Sequence, residues 1–149
     1  VFAEAVKFAW GHNYRTTASV FDDFSLDYLL VATRDFDLPF VKIANNPKYY
    51  YLINMIPDGI RVIKSVGVKE DFGIDTLCCV SDYPAEIKQY KTAFTRKMLS
   101  AGLSDHTIDW TLYNEYTPEL YECHFCLDDS TGLDSGLFVR RPSQLKEIL

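Results

Sequence analysis

A chain of 149 residues with a formal net charge of -6 has room for one well-buried core, and its acid excess argues against broad nucleic-acid affinity built on phosphate neutralisation. Hydrophobic residues make up 48% of it, yet no run approaches the roughly 18 apolar residues of a membrane span, so a globular domain with no membrane segment is expected. Val1 stands first, and Val1–Gly11 lacks the basic start, apolar middle and small-residue cleavage site of a signal peptide; the chain reads as a single domain over 1–149, a fragment or a processed product, cytosolic and not secreted.

Phe2, Val6, Ala9 and Trp10 recur at helical spacing and stop at Gly11, which predicts a first helix over Val1–Trp10. Ser19 followed by Asp22 resembles a capping box, and Phe21, Phe24, Tyr28 and Val31 carry a second helix to about Arg34. The period then changes. Phe40–Ala44, Tyr49–Asn54, Ile60–Val66 and Thr76–Val80 are short, aromatic and β-branched; Asn45-Asn46-Pro47, Pro57-Asp58-Gly59 and Lys69–Gly73 separate them, so they read as strands joined by turns. Pro84 opens a helix whose stripe Ile87, Tyr90, Phe94, Met98 and Ala101 runs to a Gly102 cap. Thr107–Asn114 and Leu120–Leu127 alternate about Thr117-Pro118 as a strand pair, and Pro142 opens a terminal helix over Ser143–Leu149. The fold class expected is α+β or α/β, a mixed β-sheet flanked by helices.

Two acids frame the middle strands: Asp58 in the turn before Ile60–Val66, and Asp82 just beyond Thr76–Val80. If those strands pair as a hairpin the carboxylates converge, and hard oxygens suit Mg²⁺ or Mn²⁺, with a histidine such as His12 tilting the choice toward Mn²⁺. Taken singly, Pro57-Asp58-Gly59 is a strong turn, Asp82 a helix cap, His12 a helix-end residue, and Lys88, Lys91, Arg96 and Lys97 a solvated face. Their order along the chain is what favours chemistry. Cys123-His-Phe-Cys126 has zinc-knuckle spacing, but in a strand its two cysteines face opposite ways, as do adjacent Cys78 and Cys79, so reduced, buried thiols are expected rather than zinc or disulfides. A Gly-rich phosphate loop, a Ser nucleophile elbow and a dinucleotide fingerprint are all missing.

Gly11-His-Asn-Tyr14, Asp37-Leu-Pro-Phe-Val41, Ile56-Pro-Asp-Gly59 and Thr76-Leu-Cys-Cys-Val-Ser-Asp82 together resemble, in order, the motifs of the cap-snatching endonuclease domain at the N-terminal end of the bunyavirus-type large polymerase protein. The resemblance implies a PD-(D/E)xK nuclease-like fold and hydrolysis of single-stranded RNA, with capped host messages trimmed into primers. It implies metal ligation by His12, Asp58, Asp82 and Asp37, with two Mn²⁺ or Mg²⁺ ions. The family's lysine position, two residues after the second acid, holds Pro84 here, so Lys88 or Lys91 would take the catalytic role. Glu70 or Asp71 is an alternative second acid. The implied partners are single-stranded RNA and the remainder of a polymerase protein, with a monomeric isolated domain located in host cytoplasm and virion. The rival reading is a non-catalytic binding or assembly domain of a larger protein.

Overall fold

The computed structural model describes residues 19–20, 40–69, 73, 75–95, 102–132 and 135–145. The first expected helix, His12, Asp37, the acids Glu70 and Asp71, and the ends of the helices running to Ala101 and Leu149 lie outside the described residues, as does the second expected helix beyond Val20; Ser19, expected to cap that helix, instead lies with Val20 in a strand.

Six strands form one sheet in the order of the sequence: β1 (Ser19–Val20), β2 (Val41–Ile43), β3 (Val62–Gly67), β4 (Thr76–Cys79), β5 (Gly102–Asp105) and β6 (Leu120–Cys123). Every neighbouring pair is parallel. The fold is α/β in type, and the sheet is parallel throughout the described strands rather than mixed. In particular β3 and β4 are not a hairpin; they run the same way, with Lys64 beside Thr76 and Gly67 beside Cys79.

The segments between strands also depart from the alternation pattern. Tyr49–Asn54 is not a strand but part of a 3-10 helix, Pro47–Met55, because Asn46 accepts the Lys48 N–H at 3.2 Å and Pro47 supplies a preset first turn. Leu52 on this helix buries against Val41 and Ile43, so its aromatic character serves packing on the sheet. The helix expected from Pro84 begins later, as a 3-10 turn over Ile87–Tyr90 and then α1 (Lys91–Thr95), with the Glu86 N–H donating to the Gln89 side chain at 2.6 Å. Gly102 does not cap that helix; it opens β5. Thr107–Asn114 is not a strand, since Thr111–Tyr116 forms α2, whose Leu112 packs with Tyr90, Ala93, Cys78 and Leu103. α3 (Pro142–Leu145) follows Pro142 as expected.

Alternation gives the sheet two unlike faces. Val41, Ile43, Cys78 and Leu103 face the helices and carry the core clusters. The register sets Lys42 beside Ile63, Ser65 beside Leu77, and Cys79 beside Ser104, which in turn neighbours Glu122, on the other face. That face is concave. Lys42 on β2 lies 2.8 Å from Glu122 on β6, although four spacings of about 4.8 Å each separate those strands in a flat sheet. The sheet therefore curls so that its far strands meet across the interior, as in a barrel.

Candidate active site

Parallel α/β sheets bind ligands at the carboxyl ends of their strands, where loops and side chains from several strands converge. Here the concave face is layered toward that end. Ile63 and Leu77 are its buried apolar side chains, and Lys42, Ser65, Cys79, Ser104 and Glu122 form a polar layer beside them. Two residues beyond Ser104 and Glu122, His106 and His124 stand at the rim with their ring centroids 5.0 Å apart.

The polar layer is a closed proton count around one hydroxyl. Lys42 Nζ donates to Ser104 Oγ at 3.2 Å and to Glu122 Oε2 at 2.8 Å, and Ser104 Oγ donates to the same carboxylate oxygen at 2.7 Å. Burial alone would raise the Glu122 carboxyl, but the charge and hydrogen bond of Lys42, with the Ser104 hydroxyl, outweigh it and hold the group down to about 2. Glu122 is therefore a carboxylate at neutral pH. Cys79 abuts this layer, and its thiol is pushed up chiefly by burial, which keeps it protonated and unreactive.

His106 is 1% exposed, and burial pushes its pKa down to about 4 against the Val80 hydrogen bond that favours protonation. Its Nδ1 lies 2.6 Å from the Val80 carbonyl, which only accepts, so Nδ1 carries the proton. Nε2 then presents a lone pair toward the concave face. Its neighbour there is Ser104 Oγ at 3.3 Å, whose single proton is committed to the closer carboxylate. A neutral imidazole fixed through Nδ1–H to a carbonyl, with Nε2 as the acceptor nitrogen, is the arrangement of a metal-ligating histidine. Three or more His, Cys, Asp or Glu side chains do not converge into a complete metal cage among the described residues. An ion held by His106 and His124 would thus keep coordination positions for water and substrate.

The layer also holds an unused donor. Ser65 is 0% exposed and its hydroxyl has no hydrogen-bond partner, a costly state for a buried polar group unless a ligand or water completes it. Around the rim, Tyr83 stacks at 4.3 Å on His106 and edge-on at 5.6 Å to His124, and Phe138 lies 5.2 Å from His124. Asn45 Nδ2 donates to Ser81 Oγ at 3.2 Å, tying the loops after β2 and β4 together on the same side.

The residues singled out from sequence lie elsewhere. Asp58 is an exposed turn residue ahead of the amino end of β3, and Asp82 is exposed just past the carboxyl end of β4. Since β3 and β4 are parallel, the hairpin that would bring these two acids together does not exist, and they flank opposite ends of the sheet. Asp82 accepts a hydrogen bond from Gln89, in keeping with a role at the start of the following helix. Lys88 is exposed and paired with Glu86, and Lys91 is exposed on α1. All four cysteines are free thiols, as expected, and burial pushes Cys78 and Cys123 up to about 12.

Sequence reasoning passed over Lys42, Ser104, His106 and Glu122. A lysine centred in the apolar stretch Phe40–Ala44 was the available signal, because a buried strand rarely carries an unpaired ammonium. The second was Ser104-Asp-His-Thr107 answered by Glu122-Cys-His124, a shared spacing on two chain segments. No helix of the described residues is long and apolar enough to cross a membrane. No family model, curated protein or solved structure matches the chain.

Proposed function

We propose that the chain is a divalent-metal-dependent enzyme working at the rim of the curled sheet on a small substrate that bears a phosphate or carboxylate group. The observation that carries this reading is the His106 imidazole, neutral, held as the Nδ1–H tautomer, with its ring centroid 5.0 Å from that of a second imidazole, His124. His106 and His124 hold the ion, with Mn²⁺ favoured over Mg²⁺ by the nitrogen donors. When bound, such an ion polarises a carbonyl or phosphoryl oxygen of the substrate. Lys42 supplies positive charge and the Ser65 hydroxyl a free donor on the same face, a pairing suited to an oxyanion. The Tyr83 ring, 4.3 Å from His106, and the buried Phe138 ring, 5.2 Å from His124, supply apolar surface beside the two imidazoles.

RNA hydrolysis, as the nuclease resemblance implies, is the competing proposal; it takes its ligands from His12, Asp37, Asp58 and Asp82 and its cation from Lys88 or Lys91. Calorimetric titration of Mn²⁺ separates the two. Binding abolished by His106→Ala and retained by Asp58→Ala supports the rim site, whereas the reverse pattern, accompanied by cleavage of single-stranded RNA, supports the nuclease. No binding to the parent chain would leave neither standing and would favour the binding or assembly reading.

A further inference from the structure

We propose that Arg140, on the opposite face of the sheet from the rim imidazoles, is a positioning residue that sets the geometry of the His106–His124 pair; the inference rests on the metal-binding reading of that pair. Arg140 is 0% exposed, and the hydrogen bonds of its side chain go to groups other than Lys42, Ser104 and Glu122. Its guanidinium instead grips the chain on both sides of His106. Nη1 donates to the Thr107 carbonyl at 2.7 Å and to that of Phe138 at 3.2 Å. Nη2 donates to the Asp109 carbonyl at 2.7 Å, to Asp105 Oδ2 at 3.3 Å and to Tyr121 Oη at 3.4 Å. Asp105 Oδ1 closes the turn by accepting from the Thr107 N–H at 2.8 Å and the Thr107 hydroxyl at 2.7 Å. His106 thus sits between two residues clamped by one fork.

The backbone of the same residue holds the other imidazole. Arg140 N–H donates to the His124 carbonyl at 2.8 Å, and its carbonyl accepts from Cys126 N–H at 3.1 Å, a parallel bridge alongside Phe125. Two residues earlier, the Phe138 ring packs on His124 and Tyr83. One residue therefore couples the backbone beneath His106 to the backbone beneath His124. A buried Arg–Asp pair is a weak source of net stability, since apolar residues of similar volume serve as well or better. Its particular capacity is geometric: a planar fork reaches several carbonyls in fixed directions, which a lysine ammonium cannot reproduce.

The test uses the whole chain with ¹⁵N-labelled histidine, which gives signals from three residues. Arg140→Lys keeps the charge and removes the fork; Asp105→Asn keeps the turn-closing acceptor and removes the ion pair. In metal-free protein, long-range ¹H–¹⁵N spectra should show His106 as a single Nδ1–H tautomer in the parent and as a mixture in Arg140→Lys. Co²⁺ titration of the same samples should show a dissociation constant raised about 10- to 100-fold, with a changed d–d absorption spectrum and unaltered far-ultraviolet dichroism. If Arg140→Lys does not fold, Asp105→Asn carries both readouts. A variant that melts earlier but retains the parent tautomer, Co²⁺ affinity and spectrum overturns the proposal, because Arg140 would then be a structural brace alone. Tautomer mixing in a variant whose parent binds no Co²⁺ would sink the metal reading and sustain the positioning role.

Discussion

Lys42 and Glu122 form a 2.8 Å ion pair between strands that are four positions apart in one parallel sheet. The pair can exist only because the sheet curls, so it reports on tertiary closure and not on local structure. Lys42→Met leaves the Glu122 carboxylate buried without its cation, and the expected cost is about 3–5 kcal/mol in urea denaturation. Lys42→Met combined with Glu122→Leu should recover most of that loss, since no unpaired charge remains. Equal stability of the parent and the single variant would show that the strands do not meet in solution.

Acid should weaken the fold in two steps of the same sign. His106 has its folded pKa depressed from 6.5 to about 4, so the unfolded chain binds the extra proton first, and the stability linked to neutral His106 is present above pH 6.5 and lost as pH falls toward 4. The Glu122 carboxyl is depressed from 4.5 to about 2, so its contribution is present above pH 4.5 and lost between there and pH 2. The His106 step corresponds to about 3 kcal/mol. Chemical denaturation at pH 7.5 and pH 5 should show about 2 kcal/mol of that loss, and His106→Gln should flatten the profile between those values.

The extent to which the sequence disclosed this arrangement follows from which forces are local. The apolar runs of β2, β3 and β4 were legible because burial on a sheet demands them, and half-buried β6 was legible through its alternation; Asn46-Pro47 was legible as the end of β2 but not as the start of a 3-10 helix. Strand direction was not legible. Residues 68–75 are short for a parallel crossover, so the local signal between β3 and β4 reads as a hairpin turn. From that one inversion came the expected meeting of Asp58 and Asp82. The rim site was hidden for a related reason: Ser104 and Glu122, with His106 and His124 two residues beyond, become neighbours through the parallel pairing of β5 with β6, and Lys42 joins them only through the curl, of which a single strand carries no sign.

Gly102 marks a close approach between β4 and β5. A Cβ built there would fall on the Thr76 carbonyl, at 2.4 Å, and lie 3.2 Å from the Leu77 side chain. The obstacle is backbone, so it cannot swing away. Gly102→Ala should separate β4 from β5 at its start and cost about 1–3 kcal/mol, the range for overpacking a dense interior. A melting temperature unchanged from the parent would mean that β5 does not lie this close to β4.

Ser65 offers a prediction in which stability and binding move in opposite directions. Its hydroxyl is buried on the concave face with no partner, so the metal-free, ligand-free chain carries the desolvation cost of that group, about 1–3 kcal/mol. Ser65→Ala removes the orphaned hydroxyl and leaves the Cβ as a methyl group, so the empty protein should gain about 1 kcal/mol. If the hydroxyl is there to meet an oxyanion held by Lys42, the same substitution should weaken binding of inorganic phosphate or oxalate about tenfold, the loss of one charge-assisted hydrogen bond. A residue conserving structure alone would lose stability on truncation, and one filling space alone would leave anion affinity untouched. Denaturation and calorimetry on the one variant therefore decide between a packing residue and a ligand-facing one: gain in the first with loss in the second assigns Ser65 to the site, and unchanged anion affinity removes it.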